Sequence, residues 1–314
     1  MLIERRAFLA AAAAAAAGAI GHAHAFGAPG QPAPRTRLIL LGTAGGPTPK
    51  RAASGPSQVI LIDDVAYVVD CGDGVARQLR LAGVAPRALR HIFITHHHSD
   101  HNADYGNLML LAWASGLQTR VDTWGPTPLE QMTRLFFEMN ASDIDVRTKD
   151  EGRVPLAPLV YPHERREGGE VMRDERVRVT CALVPHPEVS PAFAYRFDTA
   201  DRSIVISGDT AKSEALVELA RGADVLVHEA LYLPAVDRLV AGDSHATTLR
   251  KHIVDSHTSA EDAGRVAQAA GVKTLVLSHF VPTDDTTITE EMWASAARAH
   301  FTGRVVVGRD LMEI

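Results

Sequence analysis

Thr95-His96-His97-His98-Ser99-Asp100-His101 follows the apolar run Ile92-Phe93-Ile94, a pattern that predicts a buried strand running out into a loop. Five of these seven residues are His or Asp, side chains that bind zinc through imidazole nitrogen or carboxylate oxygen. Alternate residues of an extended strand end point the same way, so His96 and His98 can grip one ion. Once the chain turns, Asp100 and His101 face the other side and can hold a second. A His-rich surface turn is the bland alternative, and an affinity tag is excluded because the run is internal and follows a strand.

Four residues do not close two ion sites, so further ligands are expected downstream at strand ends. His186 follows Val177–Val184, Asp209 follows Ser203-Ile204-Val205-Ile206, and His279 follows Thr274-Leu275-Val276. Each alone reads as a hydrogen-bonded loop residue. Their order, each after an apolar strand, makes them a set.

With these motifs in this order, the chain resembles the metallo-β-lactamase superfamily from Arg37 to Ile314, and within it the ribonuclease Z-like branch that includes secreted arylsulfatases. The resemblance implies an α/β fold, the four-layer αββα sandwich, with all ligands on loops along one edge. It implies two divalent ions, zinc first with Mn2+ or Fe as alternatives. His96, His98 and His186 would hold one, Asp100, His101 and His279 the other, and Asp209 would bridge them. His228-Glu229-Ala230 is similar to the branch's His-Glu-Ala-Thr motif, with Leu231 where Thr would stand. His257-Thr258-Ser259 is similar to its His-x-Thr/Ser segment. By that likeness Asp100, Glu229 and His257 are the catalytic residues, His257 protonating the leaving group and Glu229 orienting it. The simpler role for His257 is a contact at a helix N-terminus. Asp70 is a candidate support for a ligand histidine, or else a cap for the helix that begins near Val75.

Residues 1–25 read as a twin-arginine export signal: Arg5-Arg6-Ala7-Phe8-Leu9, an alanine run, and Ala23-His24-Ala25 as a cleavage site. The alternative, an N-terminal membrane anchor, is disfavoured by a short, alanine-rich apolar run. Residues 26–36 form a Pro- and Gly-rich linker and 37–314 one catalytic domain. The expected partners are the twin-arginine export machinery and a small anionic or ester substrate, with no membrane contact in the mature, periplasmic or secreted form. A homodimer is an open alternative. The formal charge of −6 becomes −7 when Glu4, Arg5 and Arg6 leave with the signal. An acidic balance argues against a long polyanion such as tRNA, whose binding usually rests on a basic surface. The 22 residues between His186 and Asp209 leave no room for a tRNA-clamping arm.

Elsewhere, Gly42–Pro47 reads as a tight loop near the site mouth, lacking the lysine of a P-loop. Val59–Ile62 and Tyr67–Val69 read as a hairpin turning at Asp63-Asp64. Leu129–Met139 and Ala260–Ala270 read as helices, and Tyr161–Glu167 as a solvated loop that leaves His163 outside the site. His245 and His252 fall in a polar segment near the mouth. Cys71 and Cys181 are open to a disulfide or to two buried thiols.

The expected activity is cleavage of a small ester by a metal-bridging hydroxide. A sulfate ester (arylsulfatase-like) or a phosphodiester comes first. Ribonuclease Z-type endonuclease or phosphodiesterase action and lactonase or β-lactamase-like hydrolysis are the alternatives, and a metal-binding scaffold is the non-enzyme reading. The export reading has its own test: Arg5→Lys with Arg6→Lys abolishes periplasmic recovery on fractionation, and unchanged export excludes the twin-arginine route.

Overall fold

The computed structural model describes residues 35–314, so the expected signal and all but the end of the expected linker lie outside the described residues. Two mixed sheets carry the chain. The first runs in order β1 (Thr36–Gly42), β2 (Ser57–Ile62), β3 (Val65–Val69), β4 (Leu89–Phe93), β5 (Val121–Pro126) and β6 (Val160–Arg165). The second contains β7 (Gly169–Arg173), β8 (Val177–Leu183), β9 (Phe193–Thr199), β10 (Ser203–Ile206), β11 (Val225–Leu231), β12 (Thr274–Val281) and β13 (Arg304–Val307), again in chain order. Each half begins with antiparallel neighbours and ends with parallel ones.

The sequence accounts for this switch. β2 and β3 join through Asp63 and Asp64, whose φ values of 48° and 64° suit the two-residue turn of a tight hairpin. β11 and β12 are near-continuous apolar runs, buried along almost their whole length as parallel strands covered on both faces must be. Parallel neighbours need crossovers, and these supply the helices. The first half carries α1 (Val75–Leu81), α2 (Ser99–Asn102), α3 (Tyr105–Ala114), α4 (Leu129–Met139) and α5 (Ala141–Asp150). The second carries α6 (Glu214–Ala220), α7 (Val236–Leu239), α8 (Ala246–Ser256), α9 (Ala260–Ala270) and α10 (Glu290–Arg298). In α9 the Ser259 hydroxyl accepts from the Asp262 amide, and Gly271 at φ 66° ends the helix in the left-handed conformation.

Three large apolar layers result. Leu79, Met109 and Trp113 pack helices on the outer face of the first sheet. Tyr67, Phe93, Phe193 and Phe197 interdigitate between the sheets. Leu216, Val266 and Trp293 close the outer face of the second. This is the expected αββα sandwich. No described helix is long and apolar enough to cross a membrane.

The structure corrects several local expectations. Tyr161–Glu167 is not a loop over most of its length: Val160–Arg165 pairs in parallel with β5, while His163 stacks on Trp124 and bonds Asp122 at 2.7 Å. The polar helix α5 and the edge strand β7 were not expected. β1 begins at Thr36, one residue before the expected domain boundary. Cys71 packs in the helix-facing core and Cys181 between the sheets, both as free thiols. Thiol titration therefore yields two free cysteines in denaturant without reductant and essentially none in the native protein; finding none after unfolding overturns this placement.

Candidate active site

The site lies where loops from both sheets meet, and its first half is held by Asp70. That residue ends the β3 run at φ 59° and accepts from the Thr95 amide and hydroxyl at the end of β4. Its Oδ2, which the Thr95 hydroxyl also reaches, takes the Nδ1–H of His101 at 2.8 Å, so Asp70 supports a candidate ligand rather than capping α1. Gly72 lets this loop lie against α2: a Cβ there would come within 2.6 Å of the Asp100 carbonyl and 2.4 Å of Gly55.

His96 and His98 leave β4 in the extended direction, and α2 turns Asp100 and His101 to the other side. From the second sheet, His186 follows β8 and donates from Nδ1 to the Ser256 carbonyl at 3.0 Å, leaving Nε2 bare. Asp209 follows Gly208 (φ 59°), which fits against the Phe193 carbonyl and Thr95. His279 was expected after its strand, but it lies within β12. Glu229 pairs with Ser278 and Ala230 with Phe280, so His279 is the extra residue of a bulge, at φ 46°. Glu229 likewise sits inside β11, and with His279 in β12 and Asp100 and His101 in α2 the candidate ligands are not all on loops.

Two groups of donors emerge, His96–His98–His186–Asp209 and Asp100–His101–Asp209–His279. In the first, His98 Nδ1 is 3.1 Å from both His96 Nε2 and His186 Nε2. That approaches the roughly 3.3 Å edge of a tetrahedron with Zn–N bonds of about 2.0–2.1 Å. In the second, Asp209 lies 3.2 Å from both His101 and His279, and His279 is 3.4 Å from Asp100. His101 Nε2 and Asp209 Oδ1 are buried without a hydrogen-bond partner among the described residues. Orphaned buried donors and acceptors are costly, and here they converge. The donor set therefore fits divalent cations.

Electrostatics agree. Burial drives His96 well below its ordinary pKa and His186 down to about 4, which keeps both imidazoles neutral and able to ligate. Burial would raise Asp209, but the imidazoles of His101 and His279 hold it well below the carboxylate range. His101 is the exception: burial opposes its charge, yet the carboxylates of Asp209, Asp70 and Asp100 raise it well above its ordinary pKa, so an ion bound there would have to displace its Nε2 proton.

A third group joins Asp209 and His279 to Glu229 and His257. Both Glu229 oxygens are already engaged, one by the Thr210 amide at 2.6 Å and the other by His257 Nδ1 at 2.7 Å. This favours a carboxylate–imidazole pair over a third ion site, and it leaves His257 Nε2 unengaged beside the cleft. Burial lowers the imidazole, but Glu229 more than reverses this and raises it to about 9. His252, singled out from sequence only by its neighbourhood, lines the cleft, its ring centroid 5.9 Å from that of His98. His245 is exposed in its loop. Gly45 and Gly46 line the mouth, as expected.

Comparison with known proteins places these residues in context. Residues 66–280 match the family model of the beta-lactamase superfamily domain. The ribonuclease Z of Mycobacterium bovis is 31% identical over 280 residues, covering 88% of this chain and 97% of that protein. The ribonuclease Z of Mycobacterium sp. strain KMS is 32% identical over 279 residues, covering 88% and 95%. Among solved structures, a metallo-β-lactamase-fold protein of Bacillus subtilis matches with TM-score 0.64 at 19% identity, covering 89% of this chain and 98% of that one. Human tRNase Z, short form, matches with TM-score 0.64 at 20% identity, covering 88% and 98%.

Removing the Asp70 carboxylate frees the His101 ring and its tautomer. Asp70→Ala is expected to weaken divalent-ion binding by about 10- to 100-fold, the usual cost of losing such a support. Competition with a chromogenic chelator measures this, and unchanged affinity would show that His101 is not held through Asp70.

Proposed function

Because the chain belongs to the metallo-β-lactamase superfamily, as a ribonuclease Z-like hydrolase, we propose that it hydrolyses phosphodiesters with divalent cations, zinc first, held by Asp209 and the six donors around it. His96, His98 and His186 would hold one ion and Asp100, His101 and His279 the other. When bound, such cations supply positive charge that acidifies an attacking water and neutralises oxygens on the reacting centre.

The observation that carries the reading is the Glu229–His257 pair beside these donors. With Nδ1 fixed on Glu229, His257 turns Nε2–H toward the cleft, where it donates its proton to the departing oxygen. Glu229 is itself fixed by the Thr210 amide, so the carboxylate that holds the imidazole is held in place. The His98, Asp100 and Asp209 side chains border the same cleft of about 870 Å³. Such a layout performs acid-assisted hydrolysis and has no need of a side-chain nucleophile.

Of the two esters that come first from sequence, the phosphodiester is preferred to the sulfate ester. The same cluster would serve either, but the relatives that span nearly the whole chain are ribonucleases Z. The substrate is proposed to be small. Between His186 and Asp209 the described chain forms only β9, β10 and their short connections, and the overall charge is acidic.

The test is a series of aryl phosphodiesters whose phenols differ in acidity, run on metal-loaded protein. Asp209→Ala removes most turnover of every member. His257→Ala costs on the order of 10²–10⁴-fold with a poor leaving group, about 3–5 kcal/mol, and far less with 4-nitrophenolate. Metal content of the His257 variant is unchanged. An equal loss for all leaving groups assigns His257 to binding, and a panel cleaving only sulfate or carboxylic esters rejects the phosphodiester reading.

A further inference from the structure

The cleft has two chemistries. At its reacting end stand the imidazoles and carboxylates already described. Elsewhere one stretch of its lining is aliphatic, Leu239 of α7, Leu249 and Ile253 of α8, and Val281 at the end of β12, while Lys50, Arg238, Thr283, Asp284 and Asp285 line the rest. Ile253 and Val281 are buried in a small cluster with Leu231, Val236 and Val240, separate from the three main cores, and Leu249 packs against it. Leu239 remains 41% exposed. An aliphatic surface opening into the same cavity as the reacting groups is a binding surface in need of an apolar occupant.

We propose that this wall receives one substituent of the ester, and that the preferred substrates are diesters carrying an uncharged aryl group. The inference rests on the ester-hydrolase reading for its reacting end. The four aliphatic side chains offer nothing to pair the polar edge of a nucleobase, and the polar lining is already engaged, Arg238 with Asp285, Asp284 with the Arg51 amide, Thr283 with the Phe280 carbonyl and Lys50 with Thr48, so burying such an edge against the wall is costly. An aryl ring carries no such edge. A methyl substituent has too little surface to use the wall.

Two measurements separate the wall from the chemistry. In titration calorimetry on metal-loaded protein, phenylphosphonate binds at least about tenfold more tightly than methylphosphonate, a discrimination typical of an apolar pocket. Leu239→Gln with Leu249→Gln brings the two affinities together, whereas Leu249→Met preserves the difference. Both glutamines replace side chains outside the fully buried set, and circular dichroism with thermal unfolding checks that the fold is kept. In turnover, three diesters share the 4-nitrophenyl leaving group and differ only in the other substituent: phenyl, methyl or thymidin-5′-yl. The phenyl diester has the highest kcat/KM, and the double variant loses that advantage. Equal binding of the two phosphonates by the unaltered protein, or a thymidinyl diester cleaved fastest, overturns the wall as an aryl site. Phenyl-selective binding without hydrolysis of any diester keeps the wall and rejects the proposed reaction instead.

Discussion

A carboxylate with 2% of its surface exposed, Asp209, is the constraint to which this site answers. An isolated charge at that depth is prohibitively expensive, so it has to be surrounded by compensating groups. The chain meets that demand from both sheets: His96 and His101 approach from the first, His257 and His279 from the second. None of these is a neighbour of Asp209 in sequence. The two-sheet sandwich is the device that delivers them to one point, and the left-handed residues Asp70, Gly208 and His279 are where the backbone bends to do so.

Much of this was legible because the information is local. The His/Asp run after an apolar strand, the helices Leu129–Met139 and Ala260–Ala270, and the hairpin at Asp63-Asp64 all carry their signals within a few residues. The pairing of Glu229 with His257, inferred from resemblance, corresponds to a real hydrogen bond. What escaped was structure maintained from outside. β6 is charged and contains Pro162, yet it is a strand because β5 offers it a ladder and it is an edge. α5 buries none of its residues, so no apolar period marks it. The bulge that aims His279 exists only in the register between β11 and β12, which no single segment encodes.

The two halves of the fold contribute unequally to chemistry. The first supplies a compact ligand motif braced by Asp70, with short reach and little freedom. The second supplies residues widely spaced along the chain, His186, Asp209, Glu229, His257 and His279, each placed by a different element. Hydrolytic function thus depends on the correct seating of one sheet on the other. The aromatic layer between them, with Phe93 against Tyr195 and Phe197, is part of the catalytic apparatus at one remove.

The small cluster beneath α7 and α8 has a different kind of consequence. Because Leu231, Val236, Val240, Ile253 and Val281 form a packing unit apart from the main cores, exchanging side chains there disturbs little of the load-carrying sandwich. The fold is thereby partitioned into a reaction floor assembled from both sheets and a sidewall that can be exchanged apart from it. Directed evolution aimed at new substrates would find its most forgiving ground on α7 and α8.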